Sequence, residues 1–442
     1  MSSRRIIVVG GGAAGVFAAV ACAEAAPGVE VVVLEKGPEF LAKVRISGGG
    51  RCNVTHACFD PREMTTRYPR GGRALIGPFN RFQASDTVEW FAARGVKLKT
   101  ESDGRMFPVS DSSQTIIDCL LHAAKAAGVT LRANVGVGRV TLRDRSVSSR
   151  ESSPLTGKMP VPPSGFELTL STGETLTCDR LLLATGGCRT PAIGQLAVSL
   201  GHTLEPPVPS LFTFQVRTDR SVRPATPMAH PAVAPDLREL AGISLESVGA
   251  SVPGTKLREQ GALMVTHWGL SGPVILRLSA WGARALHGLH YCFPLHVNWL
   301  PHLNAEAIAA ELQSRRDRQP ARLVVNTPIS PLPGRLWEQL VVAAGVGRDT
   351  RWAALSRSAQ HYLVQQLIRT ELPVTGKSLN KEEFVTCGGV RLSEVDFKTM
   401  ESRLCPGLHF AGELLDIDGI TGGFNFQAAW TTGWIAGRAM AE

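Results

Sequence analysis

Near the start of the chain, Gly10-Gly11-Gly12-Ala13-Ala14-Gly15 carries glycines at the spacing G-x-G-x-x-G. The first glycine permits a tight turn, the second lets a pyrophosphate approach the backbone, and the third allows a helix to pack closely on a strand. Twenty residues after Gly15, Glu35 offers a carboxylate to ribose hydroxyls. A carboxylate there disfavours a 2′-phosphate, so the combination suits FAD or NAD rather than NADP. A second cluster, Ser47-Gly48-Gly49-Gly50-Arg51-Cys52-Asn53, sets three bare backbone positions beside a cation, a thiol and an amide, and can lie against a ligand. A third lies near the other end, at Gly412-Glu413-Leu-Leu-Asp416 and Gly419-Ile-Thr-Gly422-Gly423-Phe424-Asn425. There a carboxylate just past a strand can bind polyol hydroxyls. Glycines opening a helix can aim N–H groups and a positive dipole end at an anionic atom.

The elements that must hold these clusters are legible around them. Ile6 to Val9 reads as a strand buried on both faces, Ala13 to Ala26 as an Ala-rich helix, and Val31 to Leu34 as a second buried strand. Together they form a βαβ unit, whose right-handed crossover makes the strands parallel. Leu181 to Gly187 predicts another buried strand ending in a glycine turn, Leu408 to Gly412 another, and Gly423 to Met440 a terminal helix. Between them, 139–142 and 166–170 alternate like hairpin strands around an aperiodic insert, Arg143 to Gly165, expected to be a mobile loop. Pro191 to Pro235 carries many prolines and no helical period, which predicts a change of domain near 190. Short alternations at 211–217 and 262–266 predict strands, and Ala305 to Arg316, Leu336 to Ala344 and Ala359 to Arg369 predict helices. The chain thus leaves a nucleotide domain and returns to it.

Composition narrows the function class. The 442 residues are 44% hydrophobic and 19% charged, which excludes a wholly disordered chain, a coiled coil and a collagen-like polymer. The formal net charge of +9 is polarised, with +7 in 1–200, +6 in 201–370 and −4 in 371–442, and it attracts polyanions in general. Nine cysteines with no Cys-x-x-Cys pair do not form a disulfide framework, so reduced thiols and a cytoplasmic address are expected. The apolar run at the N-terminus is too short for a signal peptide, and no stretch is long enough to cross a membrane. Histidines and cysteines lack ligand spacing, so no metal is expected.

Read together, Gly10 to Gly15, Lys43 to Asn53 (KVRISGGGRCN), Gly104 to Asp111 (GRMFPVSD), Ala184 to Gly187 (ATGG), Thr266 to Pro273 (THWGLSGP) and Gly412 to Gln427 (GELLDIDGITGGFNFQ) resemble the BaiN/RdsA-type FAD-dependent flavoproteins. That family includes a bile-acid enone reductase and a ribosomal RNA dihydrouridine synthase, and the resemblance covers nearly the whole chain. It implies an α/β fold: a Rossmann-like FAD-binding domain (1–192 and 396–442) interrupted by a β-rich, barrel-like domain (193–270 and 371–395) that carries a helical insert (271–370). It implies non-covalent FAD held by Gly10, Gly12, Ala13, Ala14, Gly15, Glu35, Lys36, Lys43, Ser47, Gly48, Gly49, Gly50, Arg51, Asn53, Val135, Thr185, Gly186, Gly187, Gly412, Glu413, Asp416, Gly422, Gly423, Phe424 and Asn425. Two departures stand out: Phe424 occupies a position where the family often has Tyr, and the Arg143 to Gly165 insert is longer than the usual hairpin.

Both activities of that family make one electronic demand: hydride adds to the β carbon of a C=C conjugated to a carbonyl, and a proton goes to the α carbon. Cys52 is the first candidate for the acid and His267 the second. Residues 43–105 hold 12 Lys/Arg against 6 Asp/Glu, with Phe59, Tyr68, Phe79, Phe82, Trp90 and Phe91 interleaved, a composition suited to tracking phosphates and stacking on splayed bases. Reduction of a uridine in ribosomal RNA is therefore the leading expectation. A small enone of steroid type is the alternative substrate, and a flavin-bound RNA-binding factor without turnover is a further reading. No second G-x-G-x-x-G occurs in 200–400, so NADH or NADPH is expected to visit as a transient electron donor rather than to have its own domain.

Overall fold

The computed structural model describes residues 4–143, 165–188, 191–216, 235–378 and 385–442. All but the ends of the expected mobile insert, Arg143 to Gly165, lies outside the described residues. The chain divides into two compact units, one of Met1–Val208 with Val385–Glu442, the other of Pro209–Phe384. Residues 193–208 and 385–395 thus fall in the first unit.

The first unit is built on a seven-stranded sheet. Its order is Val395–Asp396, Glu401–Ser402, Leu408–Phe410, Arg180–Leu183, Arg5–Val9, Glu30–Leu34, Thr130–Arg132. From Leu408–Phe410 to Thr130–Arg132 every neighbouring pair is parallel. The apolar runs of the central strands fit this placement, because a parallel strand in an α/β sheet is covered on both faces; Ile6, Ile7, Val8 and Leu181 to Leu183 have no exposed surface. The fold is the Rossmann-like α/β fold read from the sequence.

Helix Ala13–Ala25 packs along the C-terminal helix Phe424–Ala441. Glycines make that approach possible: a Cβ at Gly433 would lie 2.6 Å from the Ala14 carbonyl oxygen, and one at Gly437 would collide with that of Ala18. The sequence therefore joins its first and last helices through small residues one turn apart. A helix over Pro191–Ser199 stands where the prolines predicted no helical period. Only its first residue is proline, a place where the missing N–H costs nothing, and the next proline comes at Pro206.

The second unit contains a closed antiparallel barrel of Thr213–Val216, Gly269–Ser271, Arg258–Thr266, Ser244–Ser251, Phe293–Asn298 and Thr370–Ser378. Its longer helices are Pro273–Trp281, Ala305–Arg318, Gly334–Ala343 and Arg357–Arg369. Trp299, Trp337 and Trp352 fill its core, and each buried indole N–H has an acceptor: Thr370 Oγ1 at 2.7 Å, the Val324 carbonyl at 2.7 Å and Thr327 Oγ1 at 2.8 Å.

One strand of the first unit carries a pH liability. His409 is buried in Leu408–Phe410, and burial, reinforced by the nearby Arg180 cation, pushes its pKa down to about 4. The folded state keeps the ring neutral, whereas the unfolded chain takes up a proton from about pH 6.5 downward. Its contribution is intact above that pH and is lost as the pH falls towards 4, a change on the order of 3 kcal/mol. His202, desolvated beside Phe410, shifts in the same direction. Urea unfolding at pH 7.5 and pH 4.5 should therefore show a large loss of stability at the lower pH. His409→Gln should shrink that loss; an identical loss in the variant would refute the assignment.

Candidate functional site

The first strand ends in a glycine turn. Gly10 has φ 113°, and a Cβ there would collide with the carbonyl oxygen of Ala184; a Cβ on Gly15 would collide with that of Gly10. Both positions thus require glycine for packing. Gly12 differs: its φ is −84°, and no atom lies within 4 Å of where a Cβ would sit. It caps helix Ala13–Ala25 without a side-chain hydrogen bond, and the first turn has no acidic residue. The N–H groups and dipole of that helix are thereby open to an anion.

Glu35 lies at the end of the second strand. Its Oε2 accepts from the Gly11 N–H and its Oε1 from the Gly37 N–H, both at 2.7 Å. These bonds fix the carboxylate and leave lone pairs for hydroxyl donors. Gly11, which the motif treats as a free position, is a glycine of need: a Cβ there would collide with the ring of Phe40. Lys36 follows at the surface, and the Val135 N–H donates to the Glu35 carbonyl at 2.8 Å.

The C-terminal cluster meets this turn. A Cβ at Gly412 would lie 2.8 Å from that of Ala14, and the Gly412 N–H donates to Thr432 Oγ1 at 2.9 Å. Glu413 accepts from the Thr386 N–H at 2.9 Å and pairs with Lys43, joining the 43–53 segment to the C-terminal one. Asp416 is buried. In the Ala184 to Gly187 segment, Gly186 faces open space, and Gly187 has no room for a side chain because of Thr386 and Glu413. The hydroxyls of Thr185 and Thr386 are buried and lack protein partners.

The triple-glycine segment is left-handed throughout, with Gly48, Gly49 and Gly50 at φ 57°, 68° and 83° and Ser47 extended before them. Nothing lies within 4 Å of a Cβ at Gly49 or Gly50, and both are exposed. Arg51 stacks over the Phe107 ring, 4.0 Å from its centroid, and pairs with Glu101 at 2.6 Å. Asn53 caps the far element: its Oδ1 accepts from the Gly423 N–H at 2.9 Å and its Nδ2 donates to the Thr55 carbonyl at 3.1 Å. That Gly423 N–H is therefore committed to Asn53. Asn425 closes the loop by exchanging hydrogen bonds with both backbone groups of Gly419, at 2.8 and 2.9 Å. Phe424 stacks on His56 with centroids 4.7 Å apart. Burial lowers the pKa of His56, and its Nδ1 is buried without a partner.

The two expected proton donors fall in different units. Cys52 is in the first, has no exposed surface, and carries a thiol pushed by burial up to about 12. It faces protein on every side and holds a strained φ of 60°. His267 is in the second unit, exposed in the turn between strands Arg258–Thr266 and Gly269–Ser271, beside Trp268, which is 71% exposed.

The stacking surface expected in 43–105 needs correction. Tyr68, Phe79, Phe82 and Phe91 are core residues, Trp90 is half-buried against Phe17 with Arg94 over its ring, and only Phe59 is freely exposed. Helices Gly72–Phe79 and Ala84–Ala92 turn Phe79 and Phe91 inward, and overall composition carries no record of that. Arg70, outside every motif of the sequence, forms a two-point ion pair with the fully buried Asp418. Residues 348 apart give no local signal of such a pair. Among the described residues no cluster could hold a metal ion, and no helix is long and apolar enough to cross a membrane.

Residues 4–439 match the HI0933-like protein Rossmann domain. The chain is 29% identical over 440 residues to the ribosomal RNA dihydrouridine synthase of Escherichia coli (strain K12), covering 98% of this chain and 97% of that protein. It is 28% identical over 446 residues to the 3-dehydro-bile acid delta(4,6)-reductase of Clostridium scindens, covering 99% of each. Among solved structures it resembles the 3-ketosteroid delta1-dehydrogenase of Sterolibacterium denitrificans, with 12% identity, TM-score 0.49 and full coverage of both chains.

Proposed function

The chain belongs to the HI0933-like Rossmann-domain family, and from that premise we propose an FAD-dependent oxidoreductase that reduces a carbonyl-conjugated C=C, with a uridine of ribosomal RNA as substrate and NADH or NADPH as electron donor. The observation that carries the reading is the meeting of Gly412 with Ala14 beneath the open N-terminus of helix Ala13–Ala25. That junction makes one cradle from sequence ends some four hundred residues apart.

FAD fits the residues present. Gly12 leaves room for phosphate at an uncapped helix, Glu35 is oriented to accept from ribose hydroxyls, and the buried Thr185 hydroxyl awaits a partner. Reduced flavin supplies hydride at N5 to an electron-poor carbon. The remaining tasks belong to the chain. The N–H groups of the terminal helix beyond Gly423 stabilise negative charge, and the bare backbone of Gly49 and Gly50 accepts a flat ligand.

A proton donor must be reachable by substrate, which the enclosed Cys52 is not and the exposed His267 is, so His267 is the candidate to test. His267→Gln should leave bound FAD and its reduction by NAD(P)H unchanged and lower turnover on substrate by about 10²-fold. Unchanged turnover would remove His267 from the mechanism. Cys52→Ser should leave turnover within a few-fold of the parent.

The reading on RNA rests on the relatives named dihydrouridine synthase, together with the net charge of +9. The second reading, a small-enone reductase, is favoured by the equally complete match to the bile-acid reductase. Ribosomal RNA from a strain lacking this gene should gain dihydrouridine when incubated with the purified protein and NAD(P)H, as read by mass spectrometry. Reduction of a steroid enone with no change in RNA would reverse the ranking. Flavin reduced by NAD(P)H and reoxidised by neither acceptor would point to a binding factor without turnover.

A further inference from the structure

We propose that an arginine face on the helical part of the second unit, made by Arg316, Arg318, Arg322, Arg351 and Arg357, is a docking surface for the phosphate backbone of RNA. The proposal rests on the RNA reading above and assigns its binding charge to particular residues.

Three segments build this face. Helix Ala305–Arg318 ends on it, and the following backbone pairs with 350–353: Trp352 N–H to the Arg322 carbonyl, Ala353 N–H to that of Pro320 and Val324 N–H to that of Thr350, each at 3.0 Å. Arg316 donates to the Ala353 carbonyl at 3.3 Å, and helix Arg357–Arg369 packs on helix Ala305–Arg318. The fully buried Trp352 anchors the arrangement from below. Residues 313–322 and 348–357 together hold seven arginines against two acidic residues.

Most of this charge is not neutralised within the unit. Arg318, Arg322, Arg351 and Arg357 are exposed and Arg316 is half-buried. Arg315 and Arg348 are paired at 2.7 Å with Glu311 and Glu338, and Arg318 reaches Glu311 only at 3.7 Å. Among the described residues, Arg316, Arg322, Arg351 and Arg357 have no ion-pair partner. Arginines in the last helical turn complement the helix dipole, which accounts for Arg316 and Arg318 but not for Arg322, Arg351 or Arg357.

The chemistry selects phosphate, and the setting selects RNA. Every Lys/Arg cation from 257 to 376 is an arginine, whose planar fork engages phosphate oxygens by two hydrogen bonds. The exposed large apolar side chains among the described residues lie outside 313–357, so the face lacks the apolar anchors with which a membrane-surface element inserts. What remains is a concentrated positive field suited to a flexible polyanion.

The test compares the parent enzyme with a triple variant, Arg316→Ser/Arg322→Ser/Arg351→Ser, and with the matching triple lysine variant. The probe is a fluorescently labelled transcript of a ribosomal RNA domain, titrated across a salt series. The serine variant should lose at least tenfold in affinity, and the slope of log K against log salt should fall in magnitude by about 2 to 3. The lysine variant should retain the slope. FAD content and NAD(P)H-driven flavin reduction should be the same in all three proteins. Parent binding with a steep slope that the serine variant reproduces overturns this surface and leaves the RNA reading standing. A parent that ignores RNA overturns both. Parent that binds phosphatidylglycerol vesicles, but not RNA, reassigns the face to a lipid surface and overturns the proposal.

Discussion

Gly12→Asp is expected to give a folded but colourless protein. The backbone at Gly12 is extended and accepts any residue, and the space a side chain would enter is empty of protein atoms. Aspartate is also a favourable N-cap, so helix Ala13–Ala25 should be no less stable. Its carboxylate would stand where the proposed pyrophosphate docks and would occupy the same N–H groups. Two unit charges about 4 Å apart at an effective dielectric of about 20 repel by about 4 kcal/mol, which is about a thousandfold in affinity. Absorbance near 450 nm per mole of protein reads the outcome, with circular dichroism as the check on folding. Gly10→Ala is the contrasting variant. Its side chain collides with Ala184 and its backbone, at φ 113° in the glycine, reaches negative φ only by distorting the turn, so it should lose both cofactor and stability. Stoichiometric flavin in Gly12→Asp would sink the assignment of this helix to phosphate.

What the residues disclosed follows the range of the interactions. The first glycine turn and Glu35 were legible because a βαβ unit is local: strand, turn, helix and acid fall within about thirty residues, and each has a reason independent of the rest of the chain. The C-terminal loop was legible for the same reason, since Gly422 and Gly423 directly open a helix. Interactions between distant segments were not. Asn53 caps the helix after Gly423, Asn425 holds Gly419 and Arg51 is drawn to Glu101, none of which the motifs announced. A polar side chain in a motif announces a hydrogen bond but not its partner. The aromatic stretch failed differently. Ala84, Thr87 and Phe91 fall at helical spacing on one buried face, a pattern that bulk counts of rings and cations average away. Gly433 and Gly437, one turn apart, are the signal that a pattern-based reading could have used to place the last helix against the first.

The second large effect concerns the pair that fixes the C-terminal loop. Arg70→Ala is expected to destabilise the first unit by about 3–5 kcal/mol, because it leaves the fully buried Asp418 carboxylate without its cation. The geometry explains why the cost is not dispersed. The guanidinium meets both carboxylate oxygens, the two residues also form a backbone bridge, and the adjoining Gly71, at φ 78°, has no room for a Cβ beside Ile417. Asp418 sits between Asp416 and the Gly419–Asn425 clasp, so a carboxylate seeking water must drag that loop outward. Flavin release, followed by its fluorescence during urea titration, should therefore shift together with tryptophan emission. A pair kept for attraction alone and a pair kept for position make different forecasts for Arg70→Met/Asp418→Leu. Burying two apolar side chains of similar size removes the desolvation cost of both charges, so global stability should recover most of what the single variant lost. The backbone bridge remains, but the loop loses its two-point clamp, and flavin affinity should recover less than stability. If Arg70→Ala unfolds within about 1 kcal/mol of the parent, the carboxylate has found water without moving the loop, and the clamp is not what holds the C-terminal half of the site.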